Sequence, residues 1–226
     1  MNNLIFFCNM IWNNSVLDIP AMYLNKNLNE LLGEEIKPIV ETVKAWDFKN
    51  PLVCSIISVM NGIGKSHLAS GLLRQFVKNY VTVNYETINK EYEDCDSKEY
   101  FEFRKFHLGF VPERIILREI RDTYKDKYKT ETDIYEKYCR YDILVIDDIF
   151  SSKETGDKDF SRRTILDLIN DRCEYKMKPT ILTSNLSFEE LANIDTRIAS
   201  RINNKMLIEI KTKLKDFRNL IDSERK

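Results

Sequence analysis

Pro51-Leu-Val-Cys-Ser-Ile-Ile-Ser-Val-Met-Asn-Gly-Ile-Gly-Lys-Ser66 decides the fold. Its first ten residues are mostly apolar and β-rich, the pattern of a strand covered on both faces. Gly62 and Gly64 interrupt the run. A helical pattern follows over Ser66 to Lys78, with Leu68, Leu72, Leu73 and Phe76 on one side. Strand, glycine-rich turn and helix is the context in which a backbone can wrap a phosphate group. Glycines let successive N–H groups point inward. The helix start adds free N–H groups and the positive end of its dipole. Lys65 is placed to reach terminal phosphates and Ser66 to put a hydroxyl on Mg²⁺. The loop departs from the full G-x-x-x-x-G-K-[ST] pattern at Val59, where the first glycine is missing. One explanation is that Val59 extends the strand by a residue.

A second stretch, Ile143-Leu-Val-Ile-Asp-Asp148, runs four apolar residues into adjacent carboxylates. Two acids at the end of a buried strand are costly unless they serve a cation or a reacting water. Asp147 suits the Mg²⁺ role, and Asp148 suits the polarising of an attacking water. The loop-like Phe150 to Asp159 follows, then a helical stripe over Phe160 to Lys176. Pro179 to Asn185 then reads as a strand with a polar end. In a parallel sheet the carboxyl ends of strands share one crevice, which would bring Asn185 near Asp148. Asn185 reads equally as part of a helix start, since Glu189 and Glu190 stand in the next turn.

Four segments in order, N-G-I-G-K-S-H-L-A, D-I-L-V-I-D-D-I, K-P-T-I-L-T-S-N and R-I-A-S-R-I, resemble the AAA+ ATPases of the bacterial and phage replicative-helicase loader type, the DnaC/DnaI group, and the related IstB transposition helpers. The resemblance covers roughly residues 17 to 218. It implies a P-loop NTPase fold, α/β, with a central, mostly parallel sheet in three α/β/α layers. It also implies ATP and Mg²⁺ as cofactors. Asn61, Gly62, Ile63, Gly64, Lys65, Ser66 and His67 would bind nucleotide, Ser66 and Asp147 the metal. Asp148, Asn185, Arg201 and Arg197 would be catalytic, with Arg201 matching a finger that acts on a neighbouring subunit's ATP. By the same resemblance the chain would be a cytoplasmic ATPase of slow, partner-stimulated turnover. Its partners would be a DnaB-type hexameric helicase, single-stranded DNA and further copies of itself.

Residues 1–16 read as a short N-terminal extension with an apolar Leu4 to Cys8, suited to docking a partner. Residues 17–226 read as the ATPase domain with a reduced or absent C-terminal lid. Asp216-Phe217-Arg218 resembles a motif near the end of loader domains.

Formal charge is 35 minus 36, or −1. Such a balance does not favour strong nonspecific duplex binding, which relies on many bases neutralising phosphates. That weighs against a transposition helper polymerising on duplex, one of two alternatives. The other is a nucleotide-sensing adaptor with little hydrolysis, suggested by Val59. Arg104 and Lys105 lie among Tyr100, Phe101, Phe103 and Phe106, a pattern that fits single-strand stacking but fits core aromatics better. Five dispersed cysteines suit reduced thiols, and His67 and His107 alone make no zinc site. The apolar N-terminal run is too short to span a bilayer.

Overall fold

The computed structural model describes residues 3–26, 28–31, 36–96, 101–151, 158–203 and 206–211. Six strands among these residues form one sheet: β1 (Val16–Asp18), β2 (Val53–Ile57), β3 (His107–Pro112), β4 (Ile143–Asp147), β5 (Thr180–Ser184) and β6 (Met206–Glu209). Their order is β1-β3-β4-β5-β2-β6, and every pairing is parallel. All carboxyl ends therefore point to one edge of the domain.

Among the described residues, ten α-helices cover the sheet: α1 (Asn3–Asn14), α2 (Ala21–Leu24), α3 (Lys37–Lys44), α4 (Lys65–Val83), α5 (Tyr85–Asp94), α6 (Glu113–Thr123), α7 (Glu131–Arg140), α8 (Lys158–Asn170), α9 (Phe188–Ile194) and α10 (Thr196–Asn203). The period-2 alternation of the strands decides which layer each residue faces. Cys54, Ile56, Leu108, Phe110, Val145 and Ile181 join the core under α1, α3, α4 and α5. Val53, Ile57, Val111, Leu144, Ile146 and Leu182 join the core under α6 to α10. Both faces are buried, which is why these strands are continuously apolar. The expected three-layer α/β/α architecture is thus present, with a wholly parallel sheet among the described residues.

Element ends differ from the sequence reading by a few residues. The strand expected over Pro51 to Met60 closes at Ile57, and α4 begins at Lys65 and runs to Val83. The helix expected through Lys176 becomes a π-turn at Asp171–Tyr175. There the Arg172 side chain turns fully inside. Its guanidinium donates to the carbonyls of Tyr138, Tyr141 and Pro179 and to the Thr180 hydroxyl. These carbonyls include orphans at the α7 C-terminus, where a cation is favoured. Burial pulls the Arg172 pKa down to about 10, so it remains charged at neutral pH. One buried cation thus joins the end of α7 to the start of β5.

The N-terminal segment is a helix of this domain. Phe7, Ile11 and Trp12 are buried, and Phe7 lies among Phe6, Tyr85, Tyr92 and Phe103. The apolar face expected to receive a partner is occupied by the chain's own aromatics. Phe103 and Phe106 are core residues as well, and Phe101 packs against them. Tyr100, the loop at 152–157 and Asp216-Phe217-Arg218 lie outside the described residues. No helix among the described residues is long and apolar enough to cross a membrane.

Phe7→Ala should therefore destabilise the whole domain by about 3–5 kcal/mol, as emptying a large aromatic site does. The urea unfolding midpoint measures it. An unchanged midpoint would mean that α1 is not part of the folded unit.

Candidate functional site

The phosphate-type loop occupies 58–64, between β2 and α4. Gly62 (φ 75°) and Gly64 (φ 89°) both take the left-handed conformation, where a side chain is strained. Gly64 is also the N-cap residue of α4. Ile63, between them, is buried in the core and anchors the loop. Val59 does not extend the strand. It sits in the loop, 59% exposed, and is not among the residues with positive φ. A valine is accommodated because this backbone does not turn left-handed there.

Lys65 is only 8% exposed, and its ammonium donates to the carbonyls of Ser58 (3.1 Å) and Met60 (2.7 Å). The charge is thereby held over the mouth of its own loop. Ser58 in turn fixes the strand end, with its hydroxyl donating to Ile210 O at 2.6 Å. His67 lies one turn into α4, 3.6 Å from the Glu30 carboxylate.

Asp147 joins this loop to the sheet. Its Oδ1 accepts from the Ser66 hydroxyl (2.9 Å) and from the Thr183 hydroxyl (2.6 Å). The ends of three adjacent strands, β2 through its loop, β4 and β5, therefore meet on one carboxylate oxygen. Burial raises the Asp147 pKa above the ordinary carboxylate range. The bonds from Thr183 and Ser66 oppose that, Asp148 adds to it, and Lys65 opposes it. This oxygen-rich corner suits a hard divalent cation, for which Ser66 and Asp147 are the fitting ligands.

Asp148 leaves the strand in the left-handed conformation (φ 61°), and Phe150 repeats it (φ 59°). Such backbone costs about 1–3 kcal/mol per residue, less for aspartate than for phenylalanine, and persists only where neighbours fix it. Here they do. Asp148 N–H donates to the Thr183 hydroxyl, Ile149 N–H donates to Thr183 O, and Ser184 Oγ donates to Ile149 O. Asn185 Nδ2 donates to Asp148 Oδ1. The cap of α9 is instead Ser187, in a capping box with Glu190. The two readings of Asn185 thus separate: it faces the acid and caps nothing. Thr183, which orients both acids, stood in the polar strand end but was not singled out by the sequence.

Arg197 and Arg201 do not join this crevice. Arg197 forks onto Asp195 (Nη2–Oδ2 2.9 Å), which Arg162 also approaches at 3.4 Å. Arg201 donates to Asn170 Oδ1 and to Glu174 (2.8 Å), where α8 ends before β5 begins. That is the opposite end of the sheet from Asp148.

Asp147→Asn keeps an acceptor for both hydroxyls and removes the buried charge. The unfolded carboxyl ionises at lower pH than the folded one, so ionisation opposes folding above the unfolded value, ~3.9. The substitution should raise the urea midpoint of the nucleotide-free chain at pH 7. That gain should vanish as pH falls through the raised folded pKa. Equal midpoints at pH 7 would contradict the burial argument.

No protein-family model matches the chain. Over 154 residues it is 27% identical to the chromosomal replication initiator protein DnaA of Spiroplasma apis, a match taking in 67% of this chain and 48% of that protein. The chain thus spans about half the length of the curated relative it matches. Among solved structures, AMPPCP-bound DnaA from Aquifex aeolicus superposes with a TM-score of 0.57 at 18% identity, covering 88% of this chain and 54% of the other. The DnaC helicase loader gives 0.58 at 18% identity, covering 85% and 100%. DnaI gives 0.54 at 15% identity, covering 88% and 94%. With its parallel sheet between two helical layers and its glycine loop at the carboxyl edge, the chain has the α/β fold of the AAA+ P-loop NTPases, shared with DnaA, DnaC and DnaI.

Proposed function

We propose that this chain is an ATP-hydrolysing helicase loader, which assists DNA replication by placing a ring-shaped, DnaB-type helicase on single-stranded DNA. The observation that carries the ATPase part is the convergence of Ser66 and Thr183 on Asp147, with Asp148 and Asn185 alongside. The loader part is supported by coverage. DnaC and DnaI are matched over nearly their whole solved lengths, whereas DnaA is matched over about half.

In this reading the N–H groups of the 61–67 loop cradle the phosphates, and Lys65 exchanges its loop carbonyls for phosphate oxygens. Ser66 and Asp147 hold Mg²⁺, which supplies positive charge against the phosphate oxygens when bound. Asp148 polarises the attacking water, and Asn185 fixes the direction of its carboxylate. Arg201 is tied to Asn170 and Glu174 at the end of the sheet away from its own crevice, so a neighbouring copy would receive it, with Arg197 one helical turn earlier, as planar forks suited to phosphate. ATP would then stiffen the joint between copies, and hydrolysis would loosen it. The difference in affinity between the two states drives release from the helicase. A cytoplasmic location goes with this work.

The sequence match to DnaA favours a second reading, an ATPase that initiates chromosomal replication. Pull-down from host lysate in ATP separates them. Recovery of a replicative helicase supports the loader, and salt-dependent retention on origin duplex without helicase supports the initiator.

Asp148→Asn should cut hydrolysis by on the order of 10²-fold or more while ATP stays bound. Phosphate release and equilibrium binding measure the two. An unaltered, near-zero rate in both proteins would instead indicate a nucleotide-sensing adaptor.

A further inference from the structure

Glu113 is a carboxylate buried to 2% exposure, one residue beyond the carboxyl end of β3. β3 pairs with β4 so that Pro112 stands beside Asp147. Glu113 therefore lies at the same edge as the crevice, on its far side from the phosphate loop. It opens α6, where a negative charge is favoured by the helix dipole.

Its two oxygens are used on two different elements. Oε2 accepts from the Phe150 backbone N–H at 2.9 Å, and Oε1 accepts from the Ser161 hydroxyl in the first turn of α8. Phe150 is the second left-handed residue of the turn that begins at Asp148. Ile149, between them, is fully buried and tied to β5 through Thr183 and Ser184. The turn thus has two clamps: β5 holds its first half, and Glu113 holds its second half and ties it to the first turn of α8. A buried carboxylate needs such charge-assisted bonds, and in return it fixes backbone that would otherwise relax.

We propose that Glu113 is a positioning residue for hydrolysis: by holding the Phe150 amide and Ser161 it sets the pitch of the turn from which Asp148 addresses the reacting water. The proposal rests on the ATPase reading above. β4 and β5 stand between β3, which delivers Glu113, and β2, which delivers the phosphate loop, so its removal should act on turnover and leave nucleotide capture alone.

The test uses the full chain and three measurements: steady-state ATP hydrolysis, equilibrium binding of a non-hydrolysable ATP analogue, and amide hydrogen exchange. Glu113→Ala should lower kcat by on the order of 10- to 100-fold, the scale of a small misplacement of a reacting group. KM and analogue affinity should hold, and exchange should quicken at the amides of Asp148 to Phe150 while β2 stays protected. Glu113→Gln, which can still accept from Phe150, should recover most of the lost turnover. Ser161→Ala cuts one tie and leaves the buried charge, so it should give a smaller loss of the same kind. It decides the matter if Glu113→Ala lacks a cooperative melt.

Wild-type turnover in the decisive variant would overturn the proposal. So would a parallel loss of kcat and analogue affinity, or exchange that quickens across β2 as well. If the unaltered chain shows no hydrolysis, the ATPase reading fails. Exchange at Asp148 to Phe150 then still shows whether Glu113 holds the turn, and unchanged protection there would overturn it.

Discussion

One carboxylate oxygen organises the carboxyl edge of this domain. Asp147 Oδ1 receives a hydroxyl from the first turn of α4, directly after the phosphate-type loop, and a hydroxyl from the neighbouring strand β5. Each bond is modest against the stability of a whole domain, since a hydrogen bond to a charged group contributes about 1.5–3 kcal/mol net. Their effect is geometric. They lock three strand ends at one register, so that Ser66, Asp147, Thr183, Asp148 and Asn185 face a common space. The cost is a charge held where burial disfavours it. A buried acid whose pKa is pushed up, met by two hydroxyls, is the kind of perturbed group that clusters at functional sites, and much of what lies around it keeps that geometry from relaxing.

The parallel sheet supplies this arrangement almost without further design. Every strand delivers its last residue to the same edge, and the inner strands β2 to β5 are covered on both faces. The edge of each strand end is therefore where polar side chains can stand. The two left-handed residues after β4 then turn the chain sharply enough to leave Asp148 beside Asn185. Backbone of this kind is a stored strain, and it sits where the proposed chemistry needs a fixed acid. At the other end of the sheet, Arg172 plays a purely structural part, satisfying helix-end carbonyls from inside.

Much of this was legible in the residues. Glycines at 62 and 64 announce left-handed backbone, and both take it. Apolar runs into acids announce a strand end at a charged site, and β4 ends there. What escaped is what depends on packing between distant segments. Val59 stands at a position where the motif calls for glycine, and only the backbone shows that it bears a side chain without strain. Thr183 is one of three polar residues in a row at the end of its strand, and its pairing with Asp147 depends on the β4–β5 adjacency. Asn185 was locally ambiguous because Ser187 and Glu190 form a capping box two residues on. Residues 1–16 read as an extension suited to docking a partner because the aromatic partners of Phe7, Tyr85, Tyr92 and Phe103, lie far along the chain.

Calorimetric titration of a non-hydrolysable ATP analogue, with and without Mg²⁺, tests the central claim most directly. The unaltered chain should bind the analogue more tightly with Mg²⁺. Ser66→Ala should lose that metal-dependent gain while retaining the binding seen without metal. A gain of the same size in Ser66→Ala would contradict the assignment of Ser66 and Asp147 as the place of the cation, and the crevice would need another explanation.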